Sequence, residues 1–97
     1  MNVVTTDVYV TWLRKLKQKD PRTAARIQMR VDRLVAGNPG NGEAIGSGLS
    51  ELRIHHGPGY RVYYKQTEKT ILVILCGGDK STQDRDIKRA KEIAAEL

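Results

Sequence analysis

The stretch that most constrains this chain is LSELRIHHGPGYRVYYK, residues 49–65, in which two runs of alternating apolar and polar residues flank a Gly-Pro-Gly triplet. Alternation with a period of two is typical of a β-strand with one buried face, and glycine supplies the positive φ of a tight turn. The stretch therefore predicts a β-hairpin. If Leu52, Ile54 and Val62 point into the core, the opposite face is cationic and aromatic. That face carries Arg53, His55, Arg61, Tyr63 and Lys65.

This predicted face has the chemistry that RNA binding requires. Guanidinium and ammonium groups bind phosphates, and aromatic rings stack on bases. The whole chain is also basic, since 17 Lys and Arg residues against 11 Asp and Glu residues give a net charge of +6. Such a balance suits a polyanionic or acidic partner. A solvated charged surface without a specific partner is the alternative.

The length of 97 residues predicts a single domain over residues 1–97. Cys76 is the single cysteine, which excludes an internal disulfide, and its place in the apolar run ILVILC predicts a buried hydrophobe. The sequence contains no apolar stretch of the length that spans a bilayer, and its first residues lack the pattern of a signal peptide. We therefore expect a cytoplasmic protein.

The residues before the hairpin predict a strand and two helices. The β-branched residues at positions 2–6 favour a short strand, and apolar residues at helical spacing over 9–16 predict a helix that Thr6 or Asp7 caps. Trp12 lies on the inner side of this helix and is interpreted as core more readily than as a base-stacking group. Asp20 and Pro21 predict the N-cap and first position of a second helix, antiparallel to the first.

The second helix carries arginines on its polar side, of which Arg26, Arg30 and Arg33 are spaced about one turn apart. A solvated face and a second contact with RNA or the ribosome are the two interpretations. Residues 37–48 contain five of the nine glycines and predict a flexible surface loop.

The residues after the hairpin predict a turn over 67–70, a strand and a final helix. The almost wholly apolar ILVILC predicts a strand that is central or buried on both faces. Ser81 and Asp84 fit a capping box at the start of the helix, whose inner stripe is expected at Ile87, Ala90, Ala94 and Leu97. The order β-α-α-β-β-β-α predicts an α+β fold with a small antiparallel sheet on which the N-terminal helical hairpin packs.

The segment GGDKST, residues 77–82, is not a phosphate-binding loop of the P-loop type, because Asp79 precedes Lys80 and Ile74 stands where a glycine is required. A glycine-lined strand end that leads into a helix N-terminus beside Lys80 nevertheless favours an anion. A tight turn with a solvated lysine is the alternative. His55 and His56 are neighbours on a predicted strand and point to opposite sides, so no metal site or cofactor is expected.

Arginine, lysine and histidine can cleave RNA without a metal ion. The 2′-OH attacks the adjacent phosphate, cations stabilise the developing charge, and a proton acceptor and donor serve the nucleophile and the leaving oxygen. Arg53, Arg61 and Lys80 are candidates for the charge, and His55, with Tyr63 as a weaker candidate, for proton transfer. In the alternative interpretation, Arg53 and Arg61 pair with carboxylates, namely Glu51 or Glu68.

The blocks ELR, GYRVYY and GGDKSTQ, followed by DIKRAKEIA, together resemble the RelE/ParE superfamily of toxins from type II toxin–antitoxin modules. The sequence is most similar to the HigB-like, phage-related branch called addiction-module killer proteins. The resemblance covers nearly the whole chain. It implies a RelE-like fold and a ribosome-dependent mRNA endoribonuclease that inhibits translation. ParE-like members instead inhibit DNA gyrase without nuclease activity, which is the alternative function.

The resemblance also implies roles for particular residues. Basic residues on the central strands of the family's nucleases are matched by Arg53 and Arg61, and the position after the last strand by Lys80, with Gln83 nearby. The C-terminal tyrosine of RelE and the C-terminal histidine of HigB relatives have no counterpart in residues 87–97. Residues expected to contact RNA are Tyr63, Lys65, Gln83, Arg26 and Arg30. The implied partners are mRNA on the ribosome and a cognate antitoxin, encoded in the adjacent reading frame and containing a helix-turn-helix.

Overall fold

A computed structural model describes residues 2–38, 42–68 and 71–97 as a five-stranded sheet between helices. The elements are β1 (Asn2–Thr5), α1 (Asp7–Lys19), α2 (Pro21–Val35), β2 (Gly42–Gly46), β3 (Leu49–Ile54), β4 (Tyr60–Glu68), β5 (Ile71–Asp79), a 3₁₀ turn (Lys80–Thr82) and α3 (Gln83–Ala95). The strand order is β1-β5-β4-β3-β2. α1 and α2 pack on one face of the sheet and α3 packs on the other. The predicted α+β class, with a helical hairpin on the sheet, is confirmed.

Two features of the sheet differ from the sequence prediction. Residues 42–46, predicted as loop, form β2, which pairs antiparallel with β3 and satisfies backbone groups along that edge. β1 pairs with β5 in parallel, so the sheet is not wholly antiparallel. β1 pairs with a strand that is distant in sequence, which local alternation does not reveal. β2 pairs across the short turn at residues 47–48, and its sequence GEAIG is rich in glycine, which favours a loop prediction. Residues 39–41 of the predicted loop and 69–70 of the predicted turn lie outside the described residues, and Thr67 and Glu68 belong to β4.

The helical hairpin begins and turns at the predicted caps. Thr6 accepts a hydrogen bond from the backbone N–H of Tyr9 at the start of α1. Asp20 accepts from the backbone N–H of Thr23 at 3.2 Å and from its hydroxyl at 2.6 Å, and Pro21 takes the first position of α2. These bonds lower the pKa of Asp20. The apolar stripes of both helices cover one face of the sheet, as predicted.

β5 is the central, buried strand that its apolar run predicts, and a bulge changes which face its last residues occupy. Tyr63 pairs with Cys76 while Tyr64 pairs with Ile74, so Leu75 is the extra residue. Leu75 and Cys76 therefore both face α3. Beyond the bulge, the alternation of side chains between the two faces of the sheet is shifted by one residue along β5.

α3 begins later than the sequence predicts. Asp79 accepts hydrogen bonds from the backbone N–H and the hydroxyl of Ser81, and this holds the 3₁₀ turn. The predicted capping box of Ser81 with Asp84 is wrong, because α3 begins at Gln83 with Thr82 as its N-cap residue, and no side chain caps it. Leu97 is 66% exposed and lies beyond the end of the helix, so its predicted place on the inner stripe is wrong as well. No described helix has both the length and the apolar character that a membrane span requires.

Two glycines near the end of β5, Gly77 and Gly78, allow close approach on both faces of the sheet. A Cβ added at Gly77 would lie 2.5 Å from Cε3 and 2.7 Å from Cη2 of Trp12. A Cβ added at Gly78 would overlap the Asp86 carboxylate and lie 2.9 Å from the Thr82 hydroxyl. α1 and α3 thus contact the strand backbone at adjacent residues, which sets the distance between them.

The substitution Gly77→Ala should destabilise the fold by about 1–3 kcal/mol, the range for an overpacked site, because the indole ring cannot move aside freely. Urea denaturation measures this cost. In a Trp12→Ala background the same substitution should cost much less, since the clash is removed. Equal costs in both backgrounds would contradict the close approach.

Burial of Cys76, with a smaller effect of the Asp86 charge, raises the pKa of its thiol to about 12. Since the usual value is 9.0, the thiolate fraction near neutral pH falls about 1,000-fold. Native protein should therefore react with a thiol-modifying disulfide reagent far more slowly than protein unfolded in urea. Rapid reaction of the native thiol would show that Cys76 is accessible.

Candidate functional site

An open pocket of about 470 Å³ lies at the end of the sheet where the β3–β4 hairpin turns. Its lining comes from the end of β3, the turn at residues 55–59, the start of β4 and the residue that follows β5. The side chains with polar chemistry are Arg53, His55, His56, Tyr60, Arg61 and Lys80. The structure therefore brings together the four residues for which the sequence predicts catalysis, namely Arg53, His55, Arg61 and Lys80.

Sheet register and one backbone hydrogen bond produce this convergence. Arg53 and Arg61 are direct cross-strand partners, so their side chains lie on the same face. The backbone N–H of Lys80 donates to the carbonyl of Gly59 at 2.8 Å and ties the end of β5 to the hairpin turn. Gly59 has a φ of +80°, and a Cβ there would lie 3.8 Å from the Cβ of Lys80 and 4.0 Å from Nη1 of Arg61. The predicted anion-favouring glycine bend and the hairpin cations thus share one pocket.

The buried carboxylate of Glu51 lies closer to one arginine of the pocket than to the other. The side chain of Glu51 is 2% exposed, and its Oε1 accepts a hydrogen bond from Nε of Arg53 at 2.7 Å. Glu43 on β2 lies 2.9 Å from Nη2 of the same arginine. Nε of Arg61 lies 3.8 Å from the other Glu51 oxygen and makes no hydrogen bond. The amide of Gln83 donates to that oxygen at 3.4 Å.

The alternative in which Arg53 and Arg61 pair with Glu51 is therefore confirmed, whereas the side chain of Glu68 lies outside the described part of the chain. The hydrogen bond and charge of Glu51, together with the charge of Glu43, raise the pKa of Arg53. The two carboxylates compensate the positive charge of its guanidinium. Lys80 differs, because it is exposed and has no ion-pair partner among the described residues. Lys80 is thus the cation of this pocket that is most available to an anion.

Two polar residues of the pocket, His56 and Tyr60, are missed by sequence analysis. Alternation along the predicted strand sends the two histidines to opposite faces, but β3 ends at Ile54 and residues 55–59 turn. His55 is exposed and His56 half-buried, and both line the pocket. Gly57 is the sequence signal that could have placed the end of the strand before the histidines, because glycine marks a turn.

Tyr63 does not lie on an exposed face, and that prediction is wrong. Its side chain is 0% exposed, because α3 covers this part of the sheet, and its hydroxyl has no hydrogen-bond partner in the described structure. Burial, and next the charge of Glu51, raise its pKa. Tyr63 therefore neither reaches a bound nucleic acid nor exchanges a proton near neutral pH.

The other residues with predicted RNA contacts lie outside this pocket. Lys65 is four residues along β4 from Arg61, and Gln83 opens α3 beside a smaller depression. Arg26 and Arg30 lie on α2, on the opposite side of the sheet. Contact between RNA and these four side chains stays a prediction. No cluster of three or more potential metal ligands occurs in residues 2–38, 42–68 and 71–97.

The fold and the pocket define a small basic domain with a cationic cleft at the tip of a β-hairpin. A model of the family described as Phage derived protein Gp49-like (DUF891) matches residues 11–97. An uncharacterized protein of Haemophilus influenzae strain Rd is 47% identical over 97 residues, which is 100% of this chain and 96% of that protein. The chain belongs to the Gp49-like family of phage-derived proteins. No solved structure shows a significant match to it.

The substitution Glu51→Gln should destabilise the protein by about 2–3 kcal/mol, because it leaves two guanidiniums beside an uncharged amide beneath α3. The free energy of unfolding in urea measures this loss. Glu43→Gln is the matched control, since Glu43 is 58% exposed and an exposed pair contributes at most about 1 kcal/mol. Equal losses in the two variants would mean that Glu51 does not act as a buried counter-charge.

Proposed function

We propose that this protein is the toxin of a type II toxin–antitoxin module, RelE-like and of the HigB-like branch, and that it cleaves mRNA on the ribosome. Membership of the Gp49-like family is compatible with a toxin module. The observation that carries the proposal is the convergence of Arg61, Lys80 and His55 in one open pocket. A cognate antitoxin, small and with a helix-turn-helix, is the proposed partner that neutralises it.

The proposed reaction uses side chains alone. The 2′-oxygen attacks the adjacent phosphorus and loses its proton, and the bond to the 5′-oxygen breaks as that oxygen takes a proton from solvent water. The products are a 2′,3′-cyclic phosphate and a 5′-hydroxyl. Lys80 and Arg61 stabilise the charge on the non-bridging oxygens. Imidazole exchanges protons near neutral pH, and His55 accepts the proton of the 2′-OH in this scheme.

Arg53 has a different part in this scheme from the one that the sequence predicts. Its charge is compensated by Glu51 and Glu43, so it contributes little to stabilising a transition state. It holds Glu51 in place, and Glu51 in turn lies beside Arg61. Arg53 is therefore proposed as a positioning residue.

Inhibition of DNA gyrase by binding alone is the second candidate function. Two residues that the sequence predicts to take part in cleavage are not available for it, and this favours the second candidate. Arg53 is ion-paired and Tyr63 is buried. A toxin that only binds needs no proton transfer. The same basic surface would then contact gyrase while mRNA stays whole.

Lys80→Ala should lower mRNA cleavage at least about 100-fold, the usual cost of removing a group that stabilises transition-state charge. The assay is induced expression followed by mapping of mRNA 5′ ends, with and without translation. Because Lys80 is exposed, the variant should fold normally, which circular dichroism checks. Arg61→Ala and His55→Ala should also lose cleavage and growth inhibition.

Lys91→Ala is the matched control, since this exposed lysine on α3 lies outside the pocket; it should cleave like the unchanged protein. Full cleavage by the Lys80→Ala and Arg61→Ala proteins would refute the nuclease proposal. Growth arrest with intact mRNA and trapped gyrase in a supercoiling assay would establish the second candidate. Harmless overexpression would argue against both toxin functions.

A further inference from the structure

A second cleft, of about 590 Å³, opens between α1 and the start of α3. Its floor is the end of β5 at residues 76–79. α1 contributes Trp12 and Lys15 to its walls, and α3 contributes Arg85 and Arg89. We refer to this cleft as the Trp12 groove. The proposed cleavage reaction uses no residue of it.

The cations of the Trp12 groove are not held in ion pairs. Lys15, Arg85 and Arg89 form no ion pair within the described part of the chain. Two of the carboxylates on the groove are occupied by local hydrogen bonds, since Asp79 accepts from Ser81 and Asp86 accepts from the Thr82 hydroxyl. The third, Asp7, lies in the first turn of α1, where a negative charge stabilises the helix. The three cations therefore have no ion-pair partner to give up when an anion binds, and the three carboxylates keep their charges, which leaves this set of six groups formally neutral.

Trp12 adds an aromatic surface to these charges. The indole is half-buried and packs against the backbone of Gly77, while its remaining surface lines the groove. An aromatic ring flanked by basic side chains is the arrangement with which proteins bind single-stranded nucleic acid, because a base stacks on the ring and phosphates contact the cations.

The groove is linked to the pocket at the hairpin tip through a third depression that shares lining residues with each. A smaller depression over the 3₁₀ turn shares Lys80 with that pocket and shares Thr82 and Arg85 with the groove. A path lined by Lys80 and then by Arg85 and Arg89 thus runs around one edge of the molecule.

We infer that the Trp12 groove binds the RNA strand that continues from the linkage in the pocket, with phosphates on Arg85, Arg89 and Lys15 and one base against Trp12. This inference rests on the proposed function, because it extends the same RNA beyond the pocket. It assigns the groove to single-stranded RNA by the combination of free cations with an aromatic ring.

Trp12 is the single tryptophan of the chain, so its fluorescence reports on the groove directly. The probe is a 2′-O-methyl oligonucleotide of about ten nucleotides, within the range that one such groove covers, compared with a 2′-O-methyl dinucleotide. The longer probe should quench Trp12 and the dinucleotide should not, since it fills only the pocket. Arg85→Ala with Arg89→Ala should weaken the longer probe about 10-fold at low salt and reduce the salt slope by about 0.7 per lost contact.

Lys88→Ala with Lys91→Ala is the matched control, because it removes the same charge from exposed positions of α3 outside the groove. Quenching should persist in that protein. Binding of the longer probe without quenching, binding that is insensitive to Arg85 and Arg89, or no binding at all would each overturn the inference.

The two proposals fail separately. Arginine-dependent quenching in a protein that never cleaves mRNA would leave the groove as an RNA site and remove the nuclease. Unchanged mRNA cleavage by the Arg85→Ala, Arg89→Ala protein, together with unquenched Trp12, would leave the nuclease and remove the groove.

Discussion

The end of β5 is the point on which the rest of this structure depends, because helices approach the strand backbone from both sides there. Gly77 and Gly78 have no side chains, so Trp12 of α1 and Asp86 of α3 occupy the space on opposite faces. The bulge at Leu75 sets the phase in which each glycine meets its own helix. The Trp12 groove is bounded by this junction, and Lys80, which follows β5, also lines the pocket at the hairpin tip.

Glu51 determines the electrostatics of the pocket. A carboxylate that is almost fully buried among guanidiniums is retained only if it is paired, since an isolated buried charge is costly. Arg53 supplies that pairing, and Arg61 lies close enough to share it. The row of cations in the sequence thus becomes a graded set, from a neutralised Arg53 to an unpaired Lys80 at the rim. A phosphate would meet its strongest attraction at the rim, where solvent and substrate have access.

The difference in charge compensation between Arg53, Arg61 and Lys80 limits the chemistry that the pocket could support. An unpaired ammonium, a partly compensated guanidinium and an imidazole are the groups that the proposed metal-independent phosphodiester cleavage would use. A buried tyrosine is not part of such a set. Binding of an acidic or polyanionic partner needs only the charges. The two proposed functions therefore differ in whether His55 transfers a proton, and the basic surface alone does not distinguish them.

Local patterns in the sequence determined the hairpin, the caps at Thr6 and Asp20 and the central apolar strand, because each depends on neighbours within a few residues. They also placed Arg53 and Arg61 on one face, since cross-strand register follows from a short turn. Only the tertiary structure decided that β1 joins β5 in parallel, that residues 42–46 form an edge strand and that α3 buries Tyr63. It also decided which cations are free, because that depends on where Glu51 and Glu43 lie after β2, β3 and β4 pair. Charge can be counted along a chain, but its compensation depends on how neighbouring strands pair and which side chains then share a face.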